Sequence, residues 1–190
     1  PLQHGRFGLD EYVQHVIDFV AFLGPHTHLL AVCQPCVPTL AAVALMAMDE
    51  HPAQPRSMTL MAGPIDCRIN PTAVNDLATG KPIEWFEQNL ISRVPPRHPG
   101  GGRRVYPGFL QLTAFMSMNT TRHARAFASL YEQRATGDDE AAQRTCDFYD
   151  EYFAVNDLAA EFYLETVAQV FQRYALAKGE LMVDGRRVDT

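Results

Sequence analysis

Residues 9–23 carry apolar side chains at Leu9, Tyr12, Val13, Val16, Ile17, Val20 and Leu23, a spacing that predicts a helix with one buried face. Asp10 is placed to cap its start and Gly24-Pro25 to stop it. Leu29 to Val32 is an apolar run of strand length. From Thr39 to Met48 the residues are Ala, Leu, Val and Met on nearly every face, which predicts a helix buried all round. A loop rich in His and Pro, His51 to Arg56, leads to a second strand over Ser57–Ala62, closed by Gly63-Pro64. Helix, strand, turn, helix and strand in this order predict an α/β fold: part of a parallel sheet with helices on both faces.

The pattern changes after Asp66. Residues 67–107 read as loop, punctuated by Pro71, Pro82, Pro95-Pro96, Pro99 and Gly100-Gly101-Gly102, with one helical stretch near Glu84–Ile91. Residues 108–135 predict helix interrupted at Asn119-Thr120-Thr121, and residues 138–178 a long helical region ending at Gly179. Asp184-Gly185 carries the signature of a tight hairpin. The expected organisation is a partial sheet core over 1–66, a helical insertion over 67–180, and the start of a return to the core over 181–190.

Composition narrows the class. The chain has 190 residues, 47% of them hydrophobic and 20% charged, and a net charge of −6 from 16 basic and 22 acidic residues. No general basic field exists to attract phosphate backbones, so a nucleic-acid partner is not expected. The longest apolar run, Leu40–Met48, falls well short of the ~20 residues that span a bilayer. Four cysteines at 33, 36, 67 and 146 do not make a disulfide framework, and a reducing, cytoplasmic setting is expected.

The sharpest chemical candidate is Cys33, in Ala31-Val32-Cys33-Gln34-Pro35 between a strand and a helix. A nucleophile on such a turn is lifted above the sheet edge, in the manner of a nucleophile elbow, and the helix N-terminus behind it favours negative charge. The thiolate is the reactive form of a cysteine. The backbone N–H of Gln34, next in the chain, is placed to receive the oxyanion of a tetrahedral intermediate. Ala31 and Pro35 stand where the elbow pattern has glycines. A buried structural cysteine at a strand end is the competing reading. Cys33-Gln34-Pro35-Cys36 is also a C-x-x-C opening a helix, the setting of thiol–disulfide exchange.

Other groups offer less. The C-x-x-C lacks a second half for a zinc site, and His26 and His28 lie at the opposite end of the strand, so no metal is expected. Pro99 to Arg104 resembles a phosphate cradle without the ending of a P-loop, and carboxylate-paired arginines fit it better. Asp157 and Glu161 lie a helical turn apart without an accompanying Glu-x-x-His, so an acidic or Arg-paired face is expected. The aromatic stripes of 148–174 read first as core.

Several longer words then carry a resemblance. These are Val32-Cys33-Gln34-Pro35 with Val37-Pro38 and Leu40-Ala41-Ala42, Met58-Thr59-Leu60-Met61 with Gly63-Pro64-Ile65-Asp66, Gly102 to Gln111, and Phe148-Tyr149-Asp150-Glu151-Tyr152. Together, nearly end to end, the chain resembles the intracellular poly(3-hydroxybutyrate) depolymerases. The resemblance implies an α/β-hydrolase with a Cys-Asp-His triad, Cys33 as its nucleophile, and the helical insertion as a lid. It implies no cofactor, an uncharged polyester substrate, and cytoplasmic association with storage granules through the aromatic insertion. Homo-oligomerisation is compatible with it. Cys36 falls on a variable position of the family pattern, so the C-x-x-C is expected to be incidental.

In this fold the triad acid and histidine follow the nucleophile on later loops. Asp66, His51, His98 and His123 do not stand in those motifs, so the segment reads as internal to a longer enzyme and is expected to be inactive alone. A thiol–disulfide oxidoreductase and a non-catalytic granule-associated protein remain as alternatives.

Overall fold

Helix α1 (Leu9–Leu23) forms where the apolar period placed it. Its start is secured by other carboxylates than Asp10. The Gly8 N–H donates to Glu11 Oε2 at 2.6 Å and the Leu9 N–H to Glu165 Oε2 at 2.8 Å. These longer side chains reach the first unpaired amides, and Asp10 sits inside the first turn. Strand β1 (His28–Val32) and strand β2 (Ser57–Met61) pair in parallel, His28 opposite Ser57 and Val32 opposite Met61. Helix α2 (Cys36–Met48) joins them. It begins three residues before the expected Thr39, because Pro38 falls in the first turn, where the missing N–H breaks no helical hydrogen bond.

The computed structural model describes residues 2–190, in two compact units. The first comprises the chain up to Arg104 and from Ala159 onward. Its core gathers Val13 and Val20 of α1 with Val37, Ala41, Ala42, Leu45 and Met46 of α2, all fully or almost fully buried. Helix α2 packs against α1 and β1, and the alternation along β1 buries Ala31 while leaving Leu30 65% and Val32 52% exposed. Sequence patterning predicted helices on both faces of this sheet. Among the described residues one face is covered, and the face bearing Leu30, Val32 and Met61 is open.

The segment expected to be loop holds a second helix. Helix α3 (Ala73–Gly80) is capped by Thr72, whose Oγ1 accepts from the Asn75 N–H while Asn75 Oδ1 accepts from the Thr72 N–H. This reciprocal cap overrides the proline-rich surroundings. Helix α4 (Ile83–Leu90) follows, then two short strands, β3 (Ser92–Arg93) and β4 (Arg104–Tyr106). After strand β5 (Leu158–Ala159), helix α8 (Ala160–Thr166) runs into a turn of π-helix at Val167–Gln172. Helix α4 packs on α8, and α3 on the π-helical turn. Strands β6 (Met182–Val183) and β7 (Arg186–Arg187) form the expected hairpin. Asp184 and Gly185 both have positive φ, 47° and 74°, as a tight hairpin turn demands.

The second unit, Val105–Leu158, is helical. Helix α5 (Gly108–Ser117), helix α6 (Thr120–Thr136) and helix α7 (Asp139–Phe153) are separated by the predicted break at Asn119 and a left-handed Gly137. Asp138 caps α7 by accepting from the Ala141 N–H at 3.1 Å.

Candidate active site

The turn between β1 and α2 holds one residue in an unfavourable conformation. Cys33 has φ +65°, a left-handed region that a residue with a β-carbon enters at a cost of about 1–3 kcal/mol. Four backbone hydrogen bonds over-determine this turn. The Cys33 N–H donates to Met61 O at 2.8 Å, the Cys36 N–H to Cys33 O at 3.1 Å, the Val37 N–H to Gln34 O at 3.3 Å and the Thr39 N–H to Pro35 O at 3.0 Å. The Cys33 side chain is exposed, just beyond the carboxyl end of a parallel strand and ahead of the first turn of α2. The Gln34 N–H has no hydrogen-bond partner among the described residues.

The neighbouring cysteine is held differently. Cys36 is fully buried, and its thiol donates to Ala31 O at 3.3 Å, with Met61 O 3.6 Å away. A buried thiol satisfied by strand carbonyls packs as a small apolar residue. Both cysteines are free. Gly63, just past β2, explains how the turn is so close to the second strand. A β-carbon there would collide with Cys36 Cβ and Sγ and would lie 3.1 Å from Cys33 O. The sequence marked Gly63 only as the end of a strand. Its role across the sheet from Cys36 is a contact between residues 27 positions apart, which no local pattern signals.

The remaining sequence candidates have other partners. Asp66 accepts from Arg68 Nε and Nη2 at 2.8 and 2.7 Å, and this pairing holds its carboxyl down to about 2. Burial pushes the Cys67 thiol up, and the Asp66 charge adds to the effect. His28 Nδ1 lies 2.7 Å from Ser57 Oγ, His51 Nδ1 accepts from the Ala53 N–H at 3.1 Å, and His98 Nε2 accepts from Arg97 Nε at 3.2 Å. His123 Nδ1 is 2.9 Å from the Tyr149 hydroxyl. Among the described residues none of these groups hydrogen-bonds the Cys33 thiol.

Arg103 and Arg104 are paired with carboxylates, Glu161 at 2.8 Å and Glu87 at 2.5 Å. Glu161 also accepts from the Phe7 N–H at 3.0 Å. Asp157 accepts from the Gly108 N–H at 2.7 Å, anchoring the start of α5. The aromatic stripe divides: Phe162 is buried, whereas Phe148 and Phe153 are exposed on α7. Among the described residues no helix is long and apolar enough to cross a membrane.

Comparison with known families gives a match over residues 62–190 to the family described as PHB de-polymerase C-terminus. The match begins after Cys33 and takes in Gly63, Asp66 and the whole helical unit. No curated protein and no solved structure matches the chain.

Proposed function

Given that the chain belongs to the PHB depolymerase C-terminus family, we propose that it is part of a polyhydroxyalkanoate depolymerase whose nucleophile is Cys33. The observation that carries this reading is the exposed cysteine with φ +65° on a strand–turn–helix junction, the strained geometry that a nucleophile elbow requires. The Cys33 thiolate adds to an ester carbonyl of the polymer, and the oxyanion accepts a hydrogen bond from the unpartnered Gln34 N–H. The C–O bond then breaks, the alkoxide leaves with a proton, and the acyl group remains on sulfur as a thioester. Water cleaves the thioester, releasing a 3-hydroxyacyl carboxylic acid and restoring the thiol.

A base must accept the thiol proton and return it to the leaving alkoxide. We assign that role to a histidine, oriented by an aspartate, outside residues 1–190. The partial core over 1–66 then serves the chemistry and the helical insertion serves the polymer. Phe109, Tyr131 and Phe148 are exposed there, a surface that suits an uncharged polyester and the granule it forms.

The test compares two substitutions in the polypeptide that carries the complete triad, with amorphous polymer as substrate. Cys33→Ala should lower turnover by about a thousandfold or more, the scale seen when a catalytic nucleophile is removed. Cys36→Ala should keep turnover within a few fold. Equal losses from both would replace this reading by thiol–disulfide exchange. Granule binding without turnover in the unsubstituted polypeptide would replace it by a non-catalytic granule protein. The 190-residue chain alone should bind polymer and release no acid.

A further inference from the structure

Helices α6 and α7 enclose a cleft of about 500 Å³ within the helical unit, inside the range of about 300–1,000 Å³ usual for small-molecule sites. Much of its lining is aromatic: Phe115, Phe148, Tyr149 and Tyr152. Tyr149 stacks on Phe127 at 4.6 Å between ring centroids, and Phe148 stacks on Tyr152 at 5.7 Å. The lining also carries polar groups from the start of α6: the N-cap Asn119, Arg122 and His123.

These polar groups are unequally engaged. His123 is 8% exposed, and its Nδ1 is tied to the Tyr149 hydroxyl. Its other ring nitrogen has no partner, and no buried side-chain nitrogen or oxygen among the described residues lacks one. That nitrogen therefore keeps access to solvent, on a residue that lines the cleft. Arg122 has no carboxylate partner among the described residues, while Arg144, also in the lining, pairs with Glu140 at 2.6 Å. The cleft thus offers one unneutralised cation and a second, paired one, a nearly buried imidazole nitrogen, and flat apolar rings.

We infer that this cleft binds the carboxylate end of a short 3-hydroxyacyl oligomer. The identity of the ligand rests on the depolymerase reading above. Arg122 meets the terminal carboxylate, the strongest anion such a product carries. The chain behind it alternates methyl-bearing carbons with ester carbonyls. Its carbons lie on Phe148 and Tyr152, and its carbonyls accept from His123 and the Asn119 amide. A plain fatty acid has the carboxylate but no acceptors along its length, and intact internal polymer has the carbonyls but no charge. The site therefore reads a released chain end.

Isothermal titration on the 190-residue chain tests this with three probes: a linear 3-hydroxybutyrate trimer as free acid, its methyl ester, and octanoate. The free acid should bind at least tenfold more tightly than either of the others. Arg122→Ala, at an exposed position, should reduce the acid to the affinity of the ester and leave the ester unchanged. Phe148→Ser should weaken both. His123 ring resonances should shift on addition of the acid to the unsubstituted chain. Equal affinity for acid and ester, octanoate binding as tightly as the trimer, no binding of the trimer, or no effect of Arg122→Ala would each overturn the inference. Cys33→Ala should bind the trimer as the parent does, so the titration and the turnover assay fail independently.

Discussion

The turn at Cys33 and the cleft of the helical unit are built by opposite means. At the turn, position is fixed by backbone: four main-chain hydrogen bonds, a left-handed residue, and a glycine whose missing side chain admits Cys36. In α2 nine of the thirteen residues are buried. In the cleft, position is fixed by side-chain rings, and α6 and α7 bury only His123, Ala142 and Tyr149. On the proposed reading, a reacting sulfur must be placed to a fraction of an ångström. The polymer surface proposed for the helical unit must adapt instead, and stacked rings on a lightly buried helix pair allow it.

Substitutions can break this contrast. The largest structural effect is expected from Gly63→Ala, which forces a β-carbon into Cys36 Cβ and Sγ. Overpacking of that kind costs about 1–3 kcal/mol, read as a lower denaturant midpoint, and it should also slow alkylation-sensitive chemistry at Cys33 by displacing the turn. An unchanged midpoint would mean that the backbone there yields as readily as the cleft does.

Tyr149→Phe is expected to cost less, about 1 kcal/mol, the net value of one buried hydrogen bond. It removes the hydroxyl partner of His123 while keeping the ring stacked on Phe127. Hydrogen exchange should quicken in α6 and α7, with amides of α2 unaffected. Protection lost equally in α2 would show the two units to be one cooperative block.

The smallest effect concerns acid. Burial alone would raise the Glu161 carboxyl, but the Phe7 N–H and the Arg103 guanidinium outweigh it and hold the group below its usual value. A carboxyl depressed by folding stabilises fully above its ordinary pKa of about 4.3, and that contribution fades as pH falls through the lower folded value. Urea midpoints should therefore drop on acidification below about pH 4, and Glu161→Gln should flatten the upper part of that decline. Asp66, held to about 2 by Arg68, should contribute the last part.

Much of the first unit was legible because its signals are local. The period of α1, the two apolar strand runs and the Asp184-Gly185 hairpin all lie within short windows. The strand–turn–helix setting of Cys33 was legible for the same reason, since its elements are consecutive. What escaped depends on distance or on competing cues. Proline density suggested a division near residue 66, whereas α3 and α4 pack with α8 and the π-helical turn, and the helical unit begins at Val105. The aromatic stripe of 148–174 has one composition but two fates. Phe162 stacks with Tyr12 at 5.2 Å, while Phe148 lines the cleft, and only the partners distinguish them.

On the proposed reading, the left-handed torsion at residue 33 also foretells what retirement from catalysis would look like. Glycine accepts that torsion freely, so Cys33→Gly should melt higher than the parent chain while carrying no sulfur to react. If Cys33 is the nucleophile proposed above, heat resistance and reactivity are set against each other at this single backbone angle, and an inert descendant would be the sturdier protein.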